Sequence, residues 1–233
     1  MTLIVTNNGN TKIRKSAEGT PYRIASLSLW PDDSICPGSP LAQCREDCLK
    51  LAGRGQQLNV QKARVTKTEL WHRDQDLFLT ILEDELRAFI KSCNRSGDLP
   101  AARLNTISDI PWEKHGIPQL FPELKLYDYT KLAARLNRTP ENYKLMFSYS
   151  GAPAYQNQVR AALKTTAPIS VVFRGGFPKT FLGREVINGD ASDLVNLSAE
   201  NKIVALRLKG GPAIQASRSP FIVDNPELML EAA

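Results

Sequence analysis

Three of the chain's four cysteines fall within one short stretch, Ser34-Ile-Cys-Pro-Gly-Ser-Pro-Leu-Ala-Gln-Cys-Arg-Glu-Asp-Cys-Leu49, at Cys36, Cys44 and Cys48. Lone buried thiols behave as small hydrophobes. Three of them in one polar, turn-rich segment point instead to metal chemistry. Structural zinc takes four ligands and favours close cysteine pairs. The spacing here is C-x7-C-x3-C, so a zinc site needs a fourth ligand from Cys93, His72 or His115. An iron–sulfur cluster is the other soft-metal solution. Three thiolates hold three irons of a [4Fe-4S] cubane. The fourth iron takes a distant residue or stays open to a small molecule.

The elements around the segment decide between these outcomes. Residues 23–30 alternate apolar and polar, which predicts a strand that delivers the chain into the cysteine loop. Pro37, Gly38 and Pro40 keep the start of the loop irregular. Residues 41–51 read as a short helix, which would set Cys44 and Cys48 on one face. Asp74 caps a predicted helix over 76–92 with a stripe of Leu77, Ile81, Leu82, Leu86 and Phe89. Apolar runs follow at 102–107, 124–129, 143–149, 169–173, 185–187 and 203–208, with a helix over 157–164. Strand and helix alternation predicts an α/β fold, a partial parallel (β/α) barrel with the cysteine loop (34–50) after the first strand, in a single domain over 1–233. Cys93 ends a helix that leads into a strand, which places it at the opposite end of the sheet from Cys36. The cluster is therefore expected on three cysteines.

Parallel sheets carry functional groups at the C-terminal ends of their strands. Asn105, Ser108 and Asp109 end one run, Asp128 and Lys131 the next, and Ser148 and Ser150 another. Lys131 suits a carboxylate or phosphate, and Asp109 an amine or a proton. The plainer role for each is to cap the following turn. Asp190 and Asp193 read as turn residues beside Gly189. His72 and His115 read as packing or surface positions, and Tyr127 and Tyr129 as core and rim. Arg207, Lys209 and Arg218, near Gly210 and Gly211, read as a solvated surface with the means to touch phosphate.

Composition narrows the classes. The chain has 233 residues, 42% hydrophobic and 23% charged, with a formal net charge of +6. That balance is ordinary for a globular protein and permits contact with nucleic acid. The start, Met1-Thr-Leu-Ile-Val-Thr-Asn-Asn8, lacks the basic flank and apolar core of a signal peptide, and no run is long enough to span a membrane. A cytoplasmic location is expected, where clustered cysteines more often bind metal than form disulfides. No zinc-finger, helix-turn-helix or phosphate-loop pattern is present.

Several segments resemble the phage "gene product 88" family. They are Gly9-Asn-Thr-Lys-Ile13, Ser26-Leu-Ser-Leu-Trp-Pro31 leading to Cys36-Pro-Gly38, the cysteines Cys44 and Cys48, Arg103-Leu-Asn-Thr-Ile-Ser-Asp109, Tyr127-Asp-Tyr-Thr-Lys131, Phe147-Ser-Tyr-Ser150 and Val186-Ile-Asn-Gly-Asp190. The layout is similar to that of radical S-adenosylmethionine enzymes, which hold a [4Fe-4S] cluster on three cysteines and bind the cofactor at the fourth iron. Two features depart from those enzymes. Their usual spacing is C-x3-C-x2-C, and Leu49 rather than an aromatic follows Cys48.

The resemblance implies a cluster on Cys36, Cys44 and Cys48, a small molecule such as S-adenosylmethionine at the open iron, and the host cytoplasm as the place of action. Asn105, Ser108, Asp109, Asp128, Lys131, Ser148 and Ser150 would then bind substrate or cofactor. The alternative is a non-enzymatic protein, stabilised by a cluster or by zinc, that binds nucleic acid during phage replication or host takeover.

Overall fold

The computed structural model describes residues 1–6, 11–48, 50 and 53–225. Gly9 and Asn10 of the opening motif, together with Leu49 and Leu51, lie outside the described residues.

Five strands pair in parallel in their order along the chain: β2 (Tyr22–Leu27), β3 (Leu99–Arg103), β4 (Lys125–Thr130), β5 (Tyr143–Ser148) and β6 (Ile169–Arg174). The sheet continues in parallel through β9 (Ile203–Arg207) to β8 (Arg184–Asn188). β10 (Ile222–Asp224) adds to β6 beyond the end of β5. Antiparallel strands finish the two ends of the sheet, β1 (Ile4–Thr6) on β2 and β7 (Thr180–Phe181) on β8. The expected α/β class with a mainly parallel sheet is present. The cysteine segment follows the second strand, because β1 precedes β2. The short β1 is not among the expected strands, and the Leu3 amide before it and the Ile4 amide at its start are held from outside by the Glu85 carboxylate, at 2.9 and 2.7 Å.

Parallel neighbours need crossover connections. The connection from β2 to β3 carries α2 (Ser39–Ala42), α3 (Leu58–Arg73) and α4 (Gln75–Ser96). Asp74 caps α4 by accepting from the Leu77 amide at 3.0 Å, and Gly97, at φ 76°, ends it. Its buried face is Phe78, Leu82, Leu86, Phe89, Ile90 and Cys93. That corrects the predicted stripe, since Leu77 is 45% exposed. The sixteen residues of α3 form a helix that no apolar period announces, for only Lys67, Thr68, Leu70 and Trp71 are buried along it. The later connections carry α5 (Ile117–Leu120), α6 (Gln156–Leu163), α7 (Val195–Ser198) and α8 (Pro212–Gln215).

Strand alternation divides the sheet into two unlike faces. Ala25, Leu27, Ala102, Leu126 and Leu145 pack under α3 and α4, and Phe147, Ile169, Val171 and Phe173 pack with α6. On the other face, Ile24, Ala101 and Tyr127 meet Ile13 of α1 (Thr11–Ala17), while Met146 and Val204 meet Val195 of α7. These two small helices cover the N-terminal half of that face. The C-terminal half continues with Arg103, Tyr129, Ser148, Ser170, Val172 and Leu206, all of which line one cavity of about 560 Å³. Among the described residues, no helix is long and apolar enough to cross a membrane.

Candidate metal centre and ligand cavity

The cysteine segment is shaped by its own short-range chemistry. The Asp32 carboxylate accepts from the amides of Ser34 (2.8 Å) and Ile35 (3.1 Å), and the Cys36 amide donates to the Asp32 carbonyl at 3.0 Å. These bonds turn the chain directly after β2. Gly38 then passes so close to β4 that a Cβ there would lie 2.5 Å from Cβ of Lys131. With Pro40 near its start, α2 completes a single turn before Gln43 reverses the chain at φ 51°.

The predicted helix over 41–51 is therefore absent from the described part of that range beyond Ala42, apart from a short 3-10 turn at Lys50. Its continuation is blocked physically. The carbonyls of Ala42 and Gln43 are taken by the hydroxyls of Ser150 (2.7 Å) and Ser219 (2.9 Å). Cys44 and Cys48 consequently do not share a helix face. They reach the same place by another route: Cys36, Cys44 and Cys48 all line that one cavity of about 560 Å³, on its cysteine-loop side.

Lys131 faces the three thiols. Burial works against its ammonium, but the neighbouring Cys44, Cys36, Asp109 and Cys48 more than offset this and hold its pKa above the ordinary lysine value. The influence is reciprocal. Burial pushes the Cys36 thiol up to about 11 and raises Cys44, while the Lys131 charge opposes both shifts. Without metal, these two thiols are protonated at neutral pH. Metal binding must displace their protons, and Lys131 favours the thiolates that result.

Among the described residues, no group of three or more His, Cys, Asp or Glu side chains is gathered to hold a single metal ion. A cubane asks for a different arrangement, because its corner irons are separated and its thiolates surround it rather than meet at a point. The three cysteines and Lys131 around the cavity are the residues that would hold such a cluster.

Cys93 lies elsewhere. It is fully buried in α4, close to Arg23 at the start of β2 and Asp98 just before β3, and it does not line the cavity.

The remaining sequence-derived positions divide into two sets. Asn105, Ser108, Lys131 and Ser148 line the cavity. Asp109, Asp128 and Ser150 are buried behind its wall and are fully engaged there. Asp109 accepts from the Lys131 amide at 2.8 Å and pairs with the guanidinium of Arg135. Arg135 also makes a two-pronged contact with Glu113 at 2.8 and 2.9 Å. Asp128 accepts from the Asn105 amide (2.7 Å) and the Tyr143 hydroxyl (2.9 Å), and burial pushes its carboxyl up to about 7. Ser150 holds the Ala42 carbonyl, as described. Asp128 points behind the sheet from within β4, whereas Lys131 is the first residue after the strand and lines the cavity.

Several cavity residues are not among the site positions expected from the sequence. Arg103 pairs with Asp193 at 2.8 Å, across a separation of 90 residues, and lies over the Tyr129 ring at 4.6 Å from its centroid. Asp193 lies in a turn, as its sequence reading has it, and is wholly buried there. Asp190 sits in the bend after β8, its amide donating to the Asn188 side chain at 2.9 Å, and its carboxylate accepts from the Arg207 amide at 2.9 Å and pairs with Lys209 at 2.6 Å. Arg207 and Lys209 line the cavity, whereas Arg218 stays on the surface. Arg45, Lys50, Arg54 and Arg64 come from the cysteine segment and the turn and helix that follow it. Lysines and arginines spread this way read as surface charge until a fold brings them together. His72 pairs with Asp32 at the surface at 2.7 Å, and His115 packs edge-on against Trp71, as their sequence reading anticipates.

The model of the family described as Gene product 88 matches residues 3–225. No curated protein and no solved structure matches the chain. With nearly its whole length matched, the chain belongs to the Gene product 88 family.

Proposed function

We propose that this Gene product 88 protein binds a [4Fe-4S] cluster on Cys36, Cys44 and Cys48, at the mouth of a ligand cavity inside a partial barrel. The observation that carries the reading is the convergence of three thiols and Lys131 on one cavity at the C-terminal ends of the parallel strands. The barrel form is supported by the strand order, since successive parallel neighbours curl a sheet when their connections share a hand. When bound, the cluster supplies one-electron chemistry and a coordination position for a small molecule. The chain's own residues would do the rest. Lys131 offsets thiolate charge, Asp32 and Gly38 fix the loop, and Asn105, Ser108 and Ser148 present polar groups to whatever enters.

A narrower form of this reading is a radical S-adenosylmethionine-like enzyme acting in the host cytoplasm during phage infection. The test is iron and acid-labile sulfide analysis of protein produced without oxygen, followed by titration with S-adenosylmethionine. About four irons per chain are expected. Stoichiometric zinc in place of iron contradicts the cluster, and an unchanged cluster spectrum on titration removes the enzyme form alone. Work in air would mislead, because freed thiols oxidise.

A second reading, a cluster- or zinc-stabilised nucleic-acid-binding protein, is favoured by the many lysines and arginines around the cavity. Binding to DNA or RNA that weakens steeply with salt would support it. No retention of either at low salt would end it.

A further inference from the structure

The cavity's charges do not balance. Eight lysine and arginine side chains line it, against four aspartates. Three of the eight are already paired: Arg103 with Asp193, Lys209 with Asp190, and Arg45 with Asp33 outside the lining. Asp32 is engaged with His72. Among the described residues, this leaves Lys50, Arg54, Arg64 and Arg207 without an ion-paired carboxylate and Asp47 without a cation, while the carboxylate near Lys131, Asp109, is already paired with Arg135.

Two of these cations carry a further mark. Burial works against the Arg64 cation, and its Nε is buried with no hydrogen-bond partner among the described residues. Lys131 sits half-buried in the cavity wall beside Cys36 and Cys44. A desolvated cation is costly without an anion.

The proposed cluster does not close the gap. A [4Fe-4S] core on three thiolates has about one to two net negative charges, depending on its oxidation state. A positive surplus remains beside it. S-adenosylmethionine does not remove that surplus, because its sulfonium and ammonium outweigh its carboxylate.

We infer that the cavity takes a small organic phosphate, with its phosphate among Arg64, Lys131 and Arg207 and its apolar body against Val172, Leu206 and Phe221. Phosphate supplies up to two charges and several acceptors to such a set. The apolar residues named line the same cavity and belong to β6, β9 and the segment before β10. The volume of about 560 Å³ is that of a nucleotide-sized ligand and is too small for a duplex. The inference rests on the cavity being the ligand site of the proposed function and needs no particular metal state.

Titration calorimetry tests it on metal-free and cluster-loaded protein, with paired probes: phenyl phosphate against phenol, adenosine monophosphate against adenosine, and inorganic phosphate alone. At least one phosphate ester is expected to bind tenfold or more tightly than its phosphate-free partner, in both metal states. Arg207→Ala should weaken that binding about tenfold while leaving iron content unchanged. Arg64→Ala should weaken it likewise and keep the circular dichroism of the native fold.

Equal binding of ester and parent overturns the inference. So does absence of phosphate binding at millimolar concentration in a folded sample, or tight binding of a single-stranded oligonucleotide alone. Iron analysis on the same samples reads the cluster independently, so loss of one result is not confused with loss of the other.

Discussion

The two sides of β4 hold similar residue types in opposite states. Behind the strand, Asp109, Asp128, Glu113, Arg135 and Tyr143 satisfy one another in a sealed network. In front of it, Arg64 and Asp47 line a cavity with no ion-pair partner among the described residues, and Lys131 joins them with only the already paired Asp109 nearby. Paired polar groups in a dry interior hold a fold together. Polar groups left unpaired beside a cavity are the ones free to bind something from outside. On this view, substitutions behind the strand change stability, and substitutions in front of it change binding.

The largest expected effect is behind the strand. Arg135→Ala strands two buried carboxylates and should cost about 3–5 kcal/mol of unfolding free energy by chemical denaturation. A loss below about 1 kcal/mol would break the contrast.

Next is a pH effect at Asp128. Burial pushes its carboxyl up to about 7 in the folded chain, against 3.8 for the free group. Between these values the folded state keeps a proton that the unfolded state has released. Stability should therefore be full below about pH 4 as far as this group is concerned, and fall as pH rises to about 7, by on the order of a few kcal/mol. Asp128→Asn should flatten that slope in denaturation curves measured across this window. An unchanged slope would show that the carboxyl is ionised throughout.

Gly38→Ala probes the junction of the two sides. The new methyl would press on Cβ of Lys131, which cannot swing away, so the cysteine segment must shift. The expected cost is about 1–3 kcal/mol, with reduced metal uptake. Full uptake at native stability would mean the segment is not held to β4 as described.

The smallest stability effect belongs to the half-buried Cys48. Cys48→Ala should change the metal-free protein's stability by about 0.5 kcal/mol or less, in thermal unfolding under reducing conditions. A change of several kcal/mol would make that thiol part of the structural network instead.

The same contrast explains what the sequence makes legible. Apolar runs locate β2, β4 to β6, β8 and β9 because buried strands need them, whereas β3 lies about three residues before its expected run, at Leu99–Arg103; Asp74 marks the start of α4, which runs on past the expected end at 92 to Ser96. The cysteines stand out by spacing. Residues at strand ends can be named, but their side of the sheet follows only once the register is known, as Asp128 and Lys131 illustrate. Pairings such as Arg103 with Asp193, and a helix like α3 with little buried apolar surface, depend on contacts distant in sequence. No local pattern encodes them. The reversal at Gln43 was equally hidden, because it depends on hydroxyls from Ser150 and Ser219.

The most direct test of the central claim is the iron and acid-labile sulfide content of oxygen-free preparations of the native chain, Cys44→Ala and Cys93→Ala. The account predicts a loaded cluster in the native chain, loss of most iron in Cys44→Ala, and undiminished iron in Cys93→Ala. Iron that survives in Cys44→Ala, or disappears in Cys93→Ala, would contradict a centre held by the three cysteines of the loop.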